Sequence, residues 1–142
     1  MTPKDSLGDR MKEYEDAYRF YMMRRGYLLI RIDGRAFHTW TKGMERPFDE
    51  NMMNLMRTTT FDLLSTIDNT VFGYTQSDEI SILICDDKQN HTSAWFDNNL
   101  QKIVSVSASI ATASFNLEAV SCGLERPPAT FDSRVWMLPT QI

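Results

Sequence analysis

A short aliphatic run early in the chain constrains the fold more than any other feature. Residues 27–33 read YLLIRID and stop abruptly at Gly34, a length and composition that favour a β-strand over a helix. Side chains alternate along a strand, so this run divides into two faces. The two sets are Leu28, Ile30 and Ile32 on one face and Leu29, Arg31 and Asp33 on the other. We expect one face to be buried and the charged face to be a working surface.

The rest of the chain divides into three helical patterns and three strand patterns. Helical spacing of apolar residues covers 6–20, 47–67 and 93–118, and β-rich runs cover 71–76, 79–85 and 130–138. Residues 34–46 indicate a loop. After the first helix the order is β-α-β-β-α-β, the split unit of ferredoxin-like domains. We therefore expect an α+β fold in which residues 1–142 form a single domain with an extra N-terminal helix. Two helices should cover one face of the sheet and leave the other open.

Two of the predicted helices carry stripes of related residues. In residues 47–67 the stripe is Met52, Met56, Leu63 and Ile67, and methionine there is typical of core filling. In residues 93–118 the apolar stripe is Leu100, Val104, Ala108, Ala111 and Phe115, and it is widened by Ile103, Val106, Ile110 and Ala113. A second stripe on that helix is Lys102, Ser105, Ser109, Thr112 and Asn116. The second stripe fits either a solvated face or a face that approaches a ligand.

Composition excludes some classes of protein. The longest apolar runs are only a few residues, too short for a membrane span, and residues 1–5 lack the apolar core of a secretory leader. Cys85 and Cys122 have no metal-like spacing, so we expect reduced thiols in a cytoplasmic protein. A net charge of −4 argues against holding nucleic acid by charge alone. It still allows an enzyme with a local basic strip.

Acidic residues stand at two strand ends. Asp33 precedes Gly34, and Asp78 and Glu79 occupy the tip of the predicted hairpin. In a split β-α-β-β-α-β sheet these strands are neighbours, so the carboxylates can meet and bind Mg²⁺ together with substrate phosphates. The loop that begins at Gly34 could cradle phosphates with its backbone N–H groups. The alternative is ordinary turn chemistry, because Asp before Gly and Ser-Asp at a hairpin tip both favour turns.

Three cations lie on predicted core elements. Arg31, Lys102 and Arg134 would form a second anion site if they converged on the open face. For Lys102 and Arg134 the alternative is simple solvation at the surface. His38 and His91 have no partner at zinc-like or triad-like spacing. We interpret His38 as a packing or hydrogen-bonding residue.

Several of these residues lie in segments that resemble the motifs of the tRNA-His guanylyltransferases and their guanylyltransferase-like relatives. The three most specific segments are residues 31–38 (RIDGRAFH), 73–81 (GYTQSDEIS) and 131–134 (FDSR). Shorter matches are residues 7–12 (LGDRMK), 14–15 (YE), 47–49 (PFD), 95–96 (WF) and 101–102 (QK). The matches are collinear from about residue 7 to 139 and are closest to the bacterial, archaeal and phage members.

The resemblance implies a palm domain of polymerase type that extends RNA in the 3′–5′ direction. In this family ATP adenylylates a 5′-monophosphorylated tRNA, and the 3′-hydroxyl of an incoming GTP or other NTP then displaces AMP. Pyrophosphate leaves instead when the RNA end is already a triphosphate. The guanylyltransferase-like members repair truncated tRNA 5′ ends against a template strand. The resemblance also implies a homo-oligomer, usually a tetramer, and no membrane.

The resemblance assigns roles to individual residues. Asp33 and Asp78 correspond to the ligands of two Mg²⁺ ions, with the Gly34 carbonyl as a further ligand, and Glu79 to a third essential acid. The residues assigned to the triphosphate of the incoming nucleotide are Gly34, Arg35, Ala36, Phe37, His38, Ser77 and Asp78. The trio Arg31, Lys102 and Arg134 corresponds to the cations at the activating-nucleotide site.

The chain also departs from the family pattern. Residues 97–99 (DNN) stand where eukaryotic members carry basic residues, which weakens strict tRNA-His specificity, and Arg46 replaces the usual lysine. The C-terminal segment usual in the family is absent after Ile142, so the chain is either a catalytic core or a naturally minimal form. Two alternatives stay open: a palm-type cyclase that acts on NTP alone, and a non-catalytic nucleotide- or RNA-binding fragment.

Overall fold

A computed structural model describes residues 6–139 and confirms the predicted architecture. The elements are α1 (Ser6–Asp16), β1 (Tyr27–Gly34), α2 (Phe37–Trp40), α3 (Glu50–Thr66), β2 (Thr70–Gln76), β3 (Glu79–Cys85), a 3₁₀ segment (Trp95–Asn98), α4 (Leu100–Ser121) and β4 (Phe131–Met137). The strands form one antiparallel sheet in the order β2-β3-β1-β4. α3 and α4 pack against each other and against the sheet. The predictions about residues 1–5 and about the end at Ile142 lie outside the described residues.

Strand β1 is central, and its two faces differ as the alternation predicts. Leu28, Ile30 and Ile32 are buried and pair with strand β3. They form the floor of the core, onto which α3 and α4 pack. Arg31 and Asp33 on the opposite face are only half-buried. The sheet therefore has one face closed by helices and one open face.

Helix α3 begins later than the sequence pattern predicts. Its first residue is Glu50 and not Pro47, because the Asp49 carboxylate accepts the Met52 amide and caps the helix. The residues buried along the helix are Leu55, Met56, Thr59, Thr60 and Leu63. The predicted stripe is therefore correct at Met56, at Leu63 and at Ile67, which is buried just after the helix ends, while Met52 is only half-buried.

Helix α4 starts at Leu100, seven positions after the predicted start at Ser93. Phe96, Asp97 and Asn98 all have φ between 49° and 58°, a left-handed backbone that ends any regular helix there. The Asn99 side chain then accepts the Lys102 amide and caps α4. Buried Asn98 secures the turn, since its carbonyl accepts the Met22 amide and its side chain donates to the Met23 carbonyl.

The buried face of α4 agrees with the predicted apolar pattern at Ile103, Ala111 and Phe115, whereas the predicted Leu100, Val104 and Ala108 are only half-buried. It consists of Ile103, Ser107, Ala111, Phe115 and Ala119. Ser107 is fully buried, and its hydroxyl is compensated there by a hydrogen bond of 2.7 Å with the hydroxyl of Ser133 on β4. In the polar stripe, Thr112 and Asn116 bond the segment before β4, while Lys102, Ser105 and Ser109 are exposed. The polar stripe is thus partly structural.

By length and hydropathy α4 could cross a membrane, a property that the short apolar runs of the sequence do not reveal. Here Ile103, Ala111 and Phe115 on α4 are fully buried against the rest of the domain. Part of the apolar character of α4 therefore belongs to the core, whereas Leu117 and Val120 near its end are exposed. Cys85 is buried and Cys122 is exposed, and both are free thiols as expected.

The first predicted helix and loop are also modified. Helix α1 ends at Asp16, four residues before the predicted end, and buries no residue. The short helix α2 forms inside the predicted loop because Phe37 and Trp40 are buried and stack at 5.5 Å.

The basic residues before β1 have a structural role. The Arg24 guanidinium and the Arg25 amide both donate to the buried Asp86 carboxylate.

Asp86→Ala should destabilise the fold by about 2 kcal/mol, the usual loss for hydrogen bonds to a buried charged group. Burial alone would raise the pKa of Asp86, but hydrogen bonds from Arg24 and Arg25 outweigh it and lower that pKa below its ordinary 3.8. The stabilisation is therefore complete above pH 3.8 and is lost as the pH falls through the lowered pKa. Urea unfolding of Asp86→Ala at neutral and acidic pH tests this, with exposed Asp87→Ala as control. An equal difference from wild type at both pH values would contradict it.

Candidate active site

The open face of the sheet carries three parallel rows of side chains, one from each level of the strand register. From β4 through β1 and β3 to β2, the rows are Asp132–Asp33–Glu79–Gln76, Arg134–Arg31–Ser81–Tyr74 and Trp136–Leu29–Leu83–Phe72. We call them the carboxylate row, the arginine row and the apolar row. The register therefore sorts charge and hydrophobicity along the strand direction.

The carboxylate row is poorly neutralised. The Asp33 Oδ2 and Asp132 Oδ1 atoms are buried and have no hydrogen-bond partner among the described residues. The nearest cation is the Arg134 guanidinium, 3.8 Å from Asp33 and 3.7 Å from Asp132. Burial raises the pKa of Asp33, Glu79 raises it further, and Arg134 only partly offsets them. Unsatisfied carboxylate oxygens of this kind suit a divalent cation.

The hairpin tip brings Asp78 next to this row. The Gly34 amide donates to the Asp78 carbonyl at 3.0 Å, so the residue after Asp33 contacts the predicted second acid through the backbone. Gly34 is required there, since a Cβ would lie 2.4 Å from the Phe37 ring. Within residues 6–139 no group of three or more His, Cys, Asp and Glu side chains is arranged as a metal site. The ligands predicted for Mg²⁺ would not form such a group, because they are the carboxylates of Asp33 and Asp78 and the backbone carbonyl of Gly34.

The predicted phosphate loop is partly committed to the fold. The amides of Gly34 and Arg35 donate to Asp78 and Thr130, and Ala36 has a left-handed φ of 51°. The Phe37 ring packs in the core. His38 is exposed and lines a cleft, so it is not a packing residue, and its interpretation as a hydrogen-bonding residue stays a prediction. Fewer backbone and side-chain groups of residues 34–38 are therefore available to bind phosphate than the sequence predicts.

A cleft of about 700 Å³ opens beside this loop. Of the predicted nucleotide-binding residues it contains Phe37, His38, Ser77 and Asp78. Residues of its wall that the sequence reasoning missed include Met44, Arg46, Phe48, Met52, Met53, Met56 and Arg57. The density of methionine in residues 44–56 was the available signal, because flexible methionines line adaptable binding surfaces as well as cores.

The predicted cation trio is only partly brought together. Arg31 and Arg134 are neighbours across β1 and β4. The Arg31 Nε lies 3.2 Å from the Glu79 carboxylate, and its guanidinium is 5.6 Å from the centre of the Trp136 ring. Lys102 belongs to the helical layer, where its ammonium lies 5.4 Å from the Phe96 ring. The arginine row therefore supplies two of the three cations.

The chain resembles known proteins over nearly all of its described length. The family model of tRNAHis guanylyltransferase (Thg1) matches residues 8–139. The chain belongs to the tRNAHis guanylyltransferase family. The predicted fold class and family are thereby confirmed.

Relatives of the tRNAHis guanylyltransferase family include a bacterial tRNA(His) guanylyltransferase (Thg1)-like protein solved in complex with ATP and, separately, with GTP. Both structures share 48% identity with the chain at a TM-score of 0.92 over 94% of its length, and the chain covers 59% and 64% of them. The tRNA(His) guanylyltransferase of Debaryomyces hansenii is 29% identical over 84% of the chain and 46% of its own length. The chain spans less than half the length of the curated relatives it matches.

Proposed function

We propose that the protein is a Mg²⁺-dependent nucleotidyltransferase that adds nucleotides to the 5′ end of tRNA in the 3′–5′ direction. Membership of the tRNAHis guanylyltransferase family supports the reaction class. The bacterial relative solved with ATP and with GTP supports two nucleotide substrates. The observation that carries the proposal is the position of the under-neutralised carboxylate row, between the arginine row and the hairpin tip that lines the cleft.

The proposed reaction uses two nucleotides, and we assign different residues to the binding of each. Asp33, Asp78 and the Gly34 carbonyl would hold two Mg²⁺ ions, which would stabilise phosphate charge and activate the attacking oxygen when bound. Arg31 and Arg134 would pair with phosphates of the activating ATP. The cleft beside Ser77 would hold the incoming nucleotide, with its base against the methionine-lined wall.

The proposed bond changes occur in two displacements. A 5′-phosphate oxygen of the RNA attacks the α-phosphorus of ATP, and pyrophosphate leaves. The 3′-hydroxyl of the incoming nucleotide then attacks the RNA 5′-phosphorus, loses its proton, and AMP leaves. With a 5′-triphosphate RNA the first step is unnecessary and pyrophosphate leaves in the second. Catalysis of this type depends on positioning and charge stabilisation and forms no covalent bond to the protein.

One assay tests the proposal against its rivals. A tRNA lacking its first nucleotide, carrying either a 5′-monophosphate or a 5′-triphosphate, is incubated with Mg²⁺, ATP and GTP. We expect the 5′ end to lengthen with both, and the monophosphate reaction to require ATP. Product from NTP alone would indicate a cyclase. NTP binding without turnover on either RNA would indicate a non-catalytic binding fragment and would contradict the proposal.

The cellular setting belongs to the same proposal. Both thiols are free, and a tRNA-modifying reaction suits a reducing compartment, so we place the protein in the cytoplasm.

We also propose a homo-oligomer, with the tetramer of the family as the first expectation. Exposed aromatic side chains on and just after α1, with Tyr14 64% and Tyr18 68% accessible, support an interface on that side. Light scattering of the purified chain would measure the oligomeric state.

A further inference from the structure

A second groove, of about 320 Å³, takes no part in the site described above. It lies where β1 ends and β4 begins, because its wall includes Arg35, directly after β1, and Thr130, directly before β4. The Arg35 amide donates to the Thr130 carbonyl at 2.8 Å and joins the two segments. Thr39 and Arg126 complete the polar part of the wall. Arg35 therefore lines this groove and not the cleft beside Ser77.

The groove holds two positive charges that no acid neutralises. Among the described residues, neither Arg35, which is exposed, nor Arg126 forms an ion pair with a carboxylate. Arg31 and Arg134 on the open face, by contrast, both pair with acids. The described residues of the groove wall include no acid. The groove is therefore a local basic patch on a chain of net charge −4, and it suits an anionic ligand.

Arg126 is fixed in place before any ligand binds. Its guanidinium donates to the Trp40 carbonyl and to the Lys42 carbonyl, the latter at 3.1 Å, and lies 5.4 Å from the centre of the Trp40 ring. Carbonyls carry no net charge and arginine has five N–H donors, so the charge and further donors remain for a ligand. The Pro127 carbonyl accepts the Trp40 indole N–H at 2.8 Å, which holds the adjoining wall. A cation fixed in this way loses little conformational entropy on binding.

We propose that this groove binds backbone phosphates of the paired acceptor end of tRNA, with Arg35 and Arg126 as the contacts. The inference rests on the proposed function for its substrate. Contacts to phosphates position a nucleic acid without reading its bases, so they do not require the bases to be unpaired. Guanidinium groups suit this ligand because they bind phosphate oxygens in a bidentate manner. The groove therefore suits an RNA whose end is paired with a template strand.

The position of the groove relative to Asp33 supports this ligand. Arg35 is two residues after Asp33, so their Cα atoms are at most about 7 Å apart. Successive phosphates of a duplex strand are spaced by roughly 3 Å along the helix axis. A phosphate within the first few nucleotides of the RNA can therefore reach Arg35 while the reacting 5′ end lies at Asp33. Arg31 and Arg134 lie further along the open face, so an RNA in the groove leaves them to the activating nucleotide.

The groove fits phosphates better than a whole nucleotide. Its volume is less than half of the roughly 700 Å³ of the cleft proposed for the incoming nucleotide. Trp40, the one aromatic residue among the described residues of its wall, is 8% exposed and contacts Arg126. No ring is therefore available there to stack on a base. RNA phosphates are the expected ligand, and nucleotide binding is a contrary outcome of the test.

The test is fluorescence anisotropy of an RNA hairpin that copies the acceptor stem, with a 5′-monophosphate and a 3′ label, measured on the full chain with Mg²⁺ and without NTP. Arg35→Ala should weaken binding about tenfold and lower the slope of log affinity against log salt by about one, the contribution of one phosphate. Arg35→Lys keeps the charge and should retain most of that slope. Lys88→Ala is the matched control, because it removes a positive charge after β3, at the opposite end of the sheet.

Arg126→Ala should weaken RNA binding and lower the salt slope in the same way. Thermal unfolding of this variant shows whether the loss of its contacts with the Trp40 and Lys42 carbonyls has also disturbed the fold, and exposed Arg35 keeps the test decisive if it has. The affinities for ATP and for GTP, measured in parallel, should be unchanged in Arg35→Ala.

Each contrary outcome has a distinct meaning. Wild-type RNA affinity and salt slope in Arg35→Ala, with intact nucleotide addition to tRNA, would overturn the groove proposal and leave the proposed function standing. Weaker GTP binding with unchanged RNA affinity would overturn it in favour of the predicted role of Arg35 at the incoming triphosphate. If the wild-type chain binds ATP and GTP but no RNA, the groove proposal and the proposed RNA substrate both fail.

Discussion

Asp33→Asn should abolish nucleotide addition, with a loss of at least about a thousandfold on both the monophosphate and the triphosphate RNA. The substitution preserves the shape of the side chain but removes the charge at the centre of the carboxylate row. Both proposed displacements depend on that charge, so neither RNA should escape the loss. Single-turnover rates at saturating GTP and Mg²⁺ measure the effect, and exposed Asp68→Asn is the control.

The same variant should be at least as stable as the wild type in the absence of divalent cations. Burial and the neighbouring Glu79 raise the pKa of Asp33, so its ionised form is disfavoured in the folded chain. The contribution of Asp33 to stability is therefore most favourable below the ordinary pKa of 3.8 and is lost as the pH rises through the raised value. An uncharged Asn avoids this cost. Near-normal activity of Asp33→Asn, or a clear loss of stability without Mg²⁺, would contradict the assignment of Asp33 as a metal ligand.

Arg134→Ala should slow reaction of the monophosphate RNA roughly ten- to hundredfold and affect the triphosphate RNA much less. Arg134 is two-thirds exposed and reaches the carboxylates only at long distance, so its guanidinium is available to an anionic ligand. The monophosphate RNA needs an activating ATP, whereas the triphosphate RNA does not. The ratio of kcat/KM for the two RNAs isolates this difference from any general damage.

The matched control for Arg134→Ala is Lys88→Ala, which removes a positive charge from an exposed loop. The same ratio should be measured for Lys102→Ala, because Lys102 lies in the helical layer and the structure gives it no contact with Arg31 or Arg134. Equal losses on the two RNAs in Arg134→Ala would remove the activating-site assignment. A selective loss in Lys102→Ala would show that its side chain reaches the open face from the edge at β4.

Sequence periodicity predicted the sheet well because strand alternation is a local property. The faces of β1, the hairpin β2–β3 and the order β-α-β-β-α-β all follow from residue spacing. The late start of α4 was not predictable in this way. Three consecutive residues without glycine adopt a left-handed backbone at Phe96–Asn98, which local propensity disfavours. Distant hydrogen bonds from Met22 and to Met23 hold it.

In the candidate site, too, some residues could be predicted from the sequence and others depend on packing between distant segments. Asp33 and Arg31 were identifiable because charges on a central strand with an apolar face are conspicuous in sequence, and Arg134 because it lies on a predicted strand of the sheet. The cleft was not, since its wall combines α2, the start of α3 and the hairpin tip, and only packing brings these together. For Lys102 the helix could be predicted from the sequence, but the surroundings of the side chain could not. Its place on a core helix does not fix on which side of the sheet its side chain lies.

The three rows of the open face have a consequence for how such a chain can change over generations. Each row exists because β1, β3 and β4 keep one pairing register. A single-residue insertion or deletion within β4 would turn Phe131, Ser133 and Val135 outward and bury Asp132 and Arg134. A two-residue change would leave every side chain on its face but could set Asp132 beside Arg31. We therefore expect strand length to be constrained as strictly as the charged residues themselves, and length variation to be tolerated in loops such as the one that follows Asp86.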